Sequence, residues 1–189
     1  MKEKVKLYCS EKSFLITGGA GFIGSHLVEE LVESGGRVTV VDNLMNGNLE
    51  NLQAVMQEIN YIDAEFTEYI KDTDLSSFDV VFHLAANAYV PPSVKDPAFD
   101  YGINLDGTFQ LIEKLRKMDD NRPKLVYASS AGVYGDPVKV PIQEDDQTVP
   151  LAPYGVSKLA SERYISVYGK LYDLPACSMR FLRSQYKAI

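Results

Sequence analysis

Short runs of β-branched and apolar residues alternate along the chain with longer stretches in which apolar positions recur every three or four residues. Ser13 to Thr17 predicts a first strand. Phe22 to Ser34 predicts a helix carrying Ile23, Leu27, Val28, Leu31 and Val32 on one side. Arg37 to Asp42 predicts a second strand, Ile59 to Ile62 a weaker third and Phe78 to Leu84 a fourth. The fourth is apolar apart from Asp79 and His83, as expected of a strand buried on both faces. Phe99 to Met118 predicts a long helix interrupted at Gly107. Lys124 to Ser129 predicts a fifth strand, Tyr154 to Leu171 a further helix and Ala176 to Leu182 a sixth strand. This alternation predicts an α/β fold built on a parallel, doubly wound sheet.

The 189 residues fit one domain. With 19 Lys+Arg against 26 Asp+Glu the formal charge is −7, which argues against non-specific binding to nucleic acid or anionic membrane. No apolar run approaches the ~18 residues of a membrane span. The segment Met1 to Lys6 mixes charges and leads into no signal-peptide core. Cys9 and Cys177 do not read as a disulfide framework, nor do His26 and His83 read as a metal site. The expectation is a cytoplasmic protein without a metal. Residues 1–12 read as an N-terminal extension, 13–182 as the nucleotide-binding domain and 183–189 as a tail. The loop from Gly135 to Pro153 holds four prolines and the acidic run Glu144-Asp145-Asp146. Loops of that length often border a functional site.

Between the first strand and the first helix lies Thr17-Gly18-Gly19-Ala20-Gly21-Phe22-Ile23-Gly24, in which Gly18, Gly21 and Gly24 form a GxxGxxG series. Such glycines let helix N–H groups face a pyrophosphate, although a plain strand-to-helix turn also needs glycine. Asp42 ends the second strand roughly 20 residues further on, where a carboxylate accepts bonds from an adenosine ribose. An acid there repels a 2′-phosphate, so the combination favours NAD over NADP.

Tyr154 and Lys158 stand four apart, on one face of a helix. A phenol titrating near ~10 is a poor base at neutral pH, and a neighbouring ammonium is expected to favour its phenolate. Ser129-Ser130 falls at the carboxyl end of the fifth strand, where open α/β sheets bind ligands. A hydroxyl there can bond a substrate oxygen and relay its proton to Tyr154.

These motifs, with His83-Leu84-Ala85-Ala86 and Asn104-Leu105-Asp106-Gly107-Thr108, occur in an order that resembles the extended short-chain dehydrogenase/reductase family. The resemblance is to its NAD-dependent nucleotide-sugar epimerase/dehydratase branch, and within that to the UDP-glucose 4-epimerase group. It implies a Rossmann-type sheet and NAD as cofactor. Gly18, Gly21, Phe22, Ile23 and Gly24 would lie along the pyrophosphate, and Asp42, Asn43, Asn46 and Gly47 would hold the adenosine half. Asp63 and Ala64 would meet the adenine, although their flanking residues depart from the family pattern. Leu84, Ala85, Ala86 and Phe181 would line the cofactor, and Asn104 would brace the active-site helix. Ser130, Tyr154 and Lys158 take the catalytic positions.

The implied reaction is epimerisation of a UDP-hexose through a transient 4-keto sugar. The alternatives left open are a sugar-nucleotide dehydratase or reductase and an NAD-binding module without turnover. Dehydratases of the branch carry an Asp-Glu pair directly after the catalytic Ser/Thr, where this chain has Ala131-Gly132. Arg183 stands where the family has a substrate-contacting Asn, and the family's carboxyl-terminal substrate domain does not follow, so the chain reads as truncated. The resemblance also implies a homodimer through a four-helix bundle. Val156, Leu159, Ala160, Ile165, Val167, Tyr168 and Leu171 supply the apolar positions of one of its helices.

Overall fold

A computed structural model describes residues 2–118 and 121–182. Six strands, β1 (Ser13–Thr17), β2 (Arg37–Asp42), β3 (Ile59–Asp63), β4 (Val80–His83), β5 (Lys124–Ser130) and β6 (Ala176–Phe181), form one sheet in the order β3-β2-β1-β4-β5-β6. Every pairing is parallel. Parallel neighbours need crossovers, and the helices that make them cover both faces. Adjacent residues of β1 serve opposite cores. Phe14 and Ile16 pack with Val28, Leu31, Val38 and Val40 under helix α2 (Phe22–Glu33). Leu15 packs with Val41, Val81, Leu125 and Tyr127. That second core is covered by α3 (Phe66–Asp72), α6 (Gly107–Arg116) and α7 (Pro153–Tyr172).

The six predicted strands occur within two residues of their expected ends, and β4 is the shortest of them because pairing stops at Val80 and His83. On α2, Ile23 faces outward rather than joining Val28 and Leu31 in the core. The chain before β1, expected as an extension, forms helix α1 (Lys2–Cys9), whose Cys9 is buried in the α2-side core. The predicted helix around Gly107 is three pieces: α5 (Pro97–Asp100), a π-helical turn over Tyr101–Asp106, and α6. Gly107 N–H bonds back five residues to the Gly102 carbonyl, which marks the widened turn. A short helix α4 (Val90–Lys95) precedes α5 and starts on Pro91 and Pro92, which fit the first turn because their missing N–H groups have no intrahelical partner there. The tail 183–189, with Arg183, lies outside the described residues.

Candidate active site

Strand order reverses between β1 and β4, and the crevice beyond their carboxyl ends is where an open α/β sheet offers a ligand site. A cleft of about 670 Å³ occupies it. Gly18, Gly21, Phe22, Ile23 and Gly24 form its floor, Asp42, Asn43, Asn46, Gly47 and Ala64 one end, and Leu84, Ala85 and Ala86 the middle. Ser130, Tyr154, Lys158 and Phe181 form the other end. Residues from positions 18 to 181 thus meet in one cavity.

The glycine turn is built for close approach. Gly18 has φ +75°, and a Cβ on it would stand 2.6 Å from the Ala85 nitrogen and 2.8 Å from the Leu84 carbonyl carbon. Only glycine fits there, so β1 and β4 leave the sheet side by side and the start of α2 opens into the cleft. Asp42 closes the same turn from β2. Its Oδ2 accepts from Ala20 N–H at 2.9 Å and its Oδ1 from Leu44 N–H at 2.8 Å, which leaves a nearly buried carboxylate beside the loop.

Two expected members stand elsewhere. Asp63 is exposed at the end of β3, paired in register with Asp42, and does not line the cleft; Ala64, Glu65 and Phe66 do. The chain turns into α3 immediately after β3, which carries the Asp63 side chain away and brings Glu65 in. Asn104 is buried behind the wall. It receives Asn87 N–H on its side-chain oxygen at 2.9 Å, donates to the Asn87 carbonyl at 3.1 Å, and its own carbonyl accepts the Ser161 hydroxyl of α7 at 3.0 Å. Asn104 therefore braces the loop after β4 against α7 and touches no cleft surface.

At the Tyr154 end, α7 presents one face. Lys158 is buried and donates from Nζ to the Ala128 carbonyl at 2.9 Å, with Nζ 4.9 Å from the Tyr127 ring centre and 5.9 Å from that of Tyr154. Burial pulls its pKa down to about 8, partly offset by the carboxylate of Asp100. It is still protonated at neutral pH. The sequence-based expectation that Tyr154 sits below the usual phenol value is not met: burial pushes it up, Ser130 pulls it down and Asp100 pushes it up again. Taking a phenolate out of water costs more than the nearby groups return. Ser130 caps the turn that follows β5, accepting Gly132 N–H at 3.1 Å.

Three residues around this wall, Asp100, Glu162 and Arg180, were not singled out by sequence reasoning. Asp100 is fully buried and accepts from Ser157 Oγ at 2.8 Å and Asn104 Nδ2 at 2.7 Å. Ser129 donates to Glu162, whose carboxylate also receives Arg180 from β6 at 2.8 Å. Arg180 in turn reaches the Tyr134 hydroxyl and the Glu144 carbonyl, and so ties down the long loop after β5. The signal for Asp100 lies in its spacing: Asp100, Asn104 and Thr108 stand four apart on a helix whose Leu111 and Leu115 face the core. Among the described residues no cluster of three or more His, Cys, Asp or Glu is placed to hold a metal ion. No helix among them is long and apolar enough to cross a membrane.

A parallel sheet wound in this order, with a glycine turn at its switch point and a Tyr–Lys helix on the facing wall, defines a Rossmann-type α/β protein. The family model described as GDP-mannose 4,6 dehydratase matches residues 15–186, and the chain belongs to that family. A UDP-glucose 4-epimerase of Halalkalibacterium halodurans is 39% identical over 178 residues, covering 91% of this chain and 51% of its own. The crystal structure of the Thermus thermophilus UDP-glucose 4-epimerase in complex with NAD matches with a TM-score of 0.78 at 39% identity, covering 89% of this chain and 54% of that one. The Thermotoga maritima UDP-glucose 4-epimerase with UDP-glucose matches with a TM-score of 0.78 at 38% identity, again over 89% of this chain and 54% of the other. The chain spans about half the length of the curated relatives it matches.

Proposed function

We propose that the cleft binds NAD and that the chain carries the catalytic half of a UDP-hexose 4-epimerase. The observation that carries this reading is the meeting of Ser130, Tyr154 and Lys158 in one cavity with the glycine turn and Asp42. The cradle at Gly18, which any Cβ would fill, fits a pyrophosphate, and Asp42 fits an adenosine ribose. Gly18, Gly21, Gly24, Asp42, Asn43, Asn46 and Gly47 would hold the adenosine and phosphate half. Leu84, Ala85, Ala86, Lys158 and Phe181 would hold the remainder. The nicotinamide supplies a hydride acceptor and donor.

Tyr154 would take the proton of the sugar hydroxyl while hydride leaves the same carbon for the bound dinucleotide, and would give the proton back when that hydride returns to the other face of the keto sugar. Ser130 bonds the same oxygen. Lys158 brings a positive charge to this end of the cleft, and Ser130 is the neighbour that draws the Tyr154 pKa back down against burial. Removing water from a sugar needs a further acid or base beside the reacting carbon. The turn after Ser130 offers Ala131 and Gly132 instead, and Gly132 lies against the Tyr154 ring. That favours epimerisation over 4,6-dehydration within the family.

A homodimer belongs to the same proposal. The predicted apolar positions of α7 divide: Ile165 and Tyr168 point into the core, while Val156, Val167 and Leu171 are exposed together with Tyr164 and, from the neighbouring π-helical turn, Tyr101. A second copy pairing through this face would make a four-helix bundle of α7 and the helix before it.

Calorimetric titration of cofactor-free chain with NAD and NADP, followed by UDP-glucose and UDP-galactose interconversion, tests the reading. NAD binding that weakens in Asp42→Ala, with turnover lost in Tyr154→Phe, supports it. NAD binding without turnover of any UDP-hexose leaves a dinucleotide-binding module, and failure to bind NAD refutes the proposal at its base.

A further inference from the structure

The adenosine end of the cleft carries a second carboxylate. Glu65 lines the cavity two residues after Asp63, at the entry to α3. It occupies the N-cap position yet makes no capping bond to the helix. Its Oε1 instead accepts from Asn43 Nδ2 at 2.5 Å. The Asn43 amide is itself fixed, because its Oδ1 accepts Met45 N–H at 3.1 Å, so Nδ2 is turned toward Glu65. The carboxylate is therefore tethered to the residue that follows Asp42 in the chain. Among the described residues Glu65 Oε2 has no hydrogen-bond partner, and no Lys, Arg or His forms an ion pair with Glu65.

The two acids differ in what they have left to offer. Both Asp42 oxygens already receive backbone N–H groups and the residue is nearly buried. Glu65 is exposed, with one oxygen unengaged. Among the described residues that line the cleft Lys158 is the only cation, and it stands at the Tyr154 end. None of them is an arginine that could receive a 2′-phosphate, the group that would bring about −1.5 to −2 charges to this spot.

We propose that Glu65, held by Asn43, is a specificity residue that acts with Asp42 to reject a phosphorylated adenosine ribose while accepting a bond from an unmodified one. The inference rests on the NAD reading of the cleft. A hydroxyl can donate to either carboxylate, whereas a phosphate meets two negative charges and, among the described cleft residues at this end, no cation.

The test is calorimetric titration of the wild-type chain, Glu65→Gln and Asp42→Asn with NAD and with NADP, at low salt and in about 0.5 M salt. Glu65→Gln keeps an acceptor for Asn43, removes the charge and turns the free carboxylate oxygen into an NH₂ donor. It is expected to weaken NAD binding by about two- to fivefold, through the lost acceptor, and to raise NADP affinity relative to NAD by about three- to tenfold at low salt. That gain should shrink at high salt, where the Debye length falls to a few ångströms. An unchanged NADP-to-NAD ratio in Glu65→Gln, in a preparation that still binds NAD, overturns the inference and leaves the cofactor reading standing. Absence of NAD binding by the wild-type chain overturns both.

Discussion

The hydroxyl of Ser157 donates to Oδ2 of Asp100 at 2.8 Å, tying the residue before Lys158 to the helix that leads into the π-helical turn. The carboxylate is fully buried, and hydroxyl and amide donors satisfy it rather than an ion pair. Its charge acts on Lys158, whose proton it helps to hold.

Asp100→Asn is thus expected to do two things. Its amide keeps one acceptor oxygen and puts an NH₂ in place of the other, so either the Ser157 or the Asn104 donor loses its acceptor, which should cost about 1–3 kcal/mol in urea denaturation. The lysine pKa, already drawn down to about 8, should fall further when the opposing carboxylate is gone. NMR titration of the lysine side chain checks the second effect, which a purely structural loss would not produce. Ser157→Ala should cost about 1 kcal/mol and leave the titration nearly unmoved.

Lys158 also gives the fold a pH dependence of definite sign. Its pKa is about 8 in the folded chain against an ordinary 10.5, so between those values the unfolded chain binds more protons. Stability must then rise with pH across that window. Below pH 8 the full cost of burying the ammonium is present; above 10.5 it has gone. Urea denaturation from pH 7.5 to 10 should show this contribution, with a slope of at most about 1.4 kcal/mol per pH unit. Lys158→Met should flatten it, and an unchanged slope in that variant would contradict the assignment.

Gly18→Ala tests the glycine turn. The added methyl would meet backbone of Leu84 and Ala85 at a residue already at positive φ. Backbone cannot swing aside as a side chain can, so a loss of about 1–3 kcal/mol or more is expected. NAD binding should weaken together with stability, because the shifted strands are those that end at the cleft.

The exposed face of α7 makes a different prediction. Leu171 and Val167 are 66% and 46% exposed, so Leu171→Lys with Val167→Glu should change the monomer's stability by no more than about 0.5 kcal/mol. If the face is covered by a second copy, the same pair of changes should convert dimer to monomer in light scattering at micromolar concentration. A wild-type chain that is already monomeric there refutes the dimer.

The strands and α7 were legible because each buries a long apolar pattern with the period of its own geometry. Helix α3 was not: among its seven residues only Phe66 and Ile70 are buried, too few to establish a helical period. Helix α4 was hidden by Pro91 and Pro92, which read as breakers in sequence although they are at home in a first turn. At the site, the glycines, Asp42, Tyr154 and Lys158 were readable as candidates from spacing, and the Ser129-Ser130 pair from its place at a strand end, with Ser130 singled out by the family resemblance. Asp63 against Glu65 was not, since which carboxylate faces the cleft depends on where β3 stops and α3 begins. The direction of the Tyr154 shift was hidden too, because it follows from burial rather than from the neighbouring charge.

The π-helical turn at Tyr101–Asp106 bears on how this chain can change in length. An α-turn closes its hydrogen bond over four residues, and Gly107 closes one over five, so the turn holds a residue that regular helix would not need. Deleting one residue there would restore an ordinary helix at little backbone expense. Because the widened turn already absorbs the extra residue, Asp100 before it and Thr108 after it would keep nearly their present facing. The loss would be felt inside the turn, where Asn104 serves both Asn87 and Ser161. A single-codon loss, the mildest length change a gene can undergo, would spare the helices on either side and fall on the residue that ties the loop after β4 to α7.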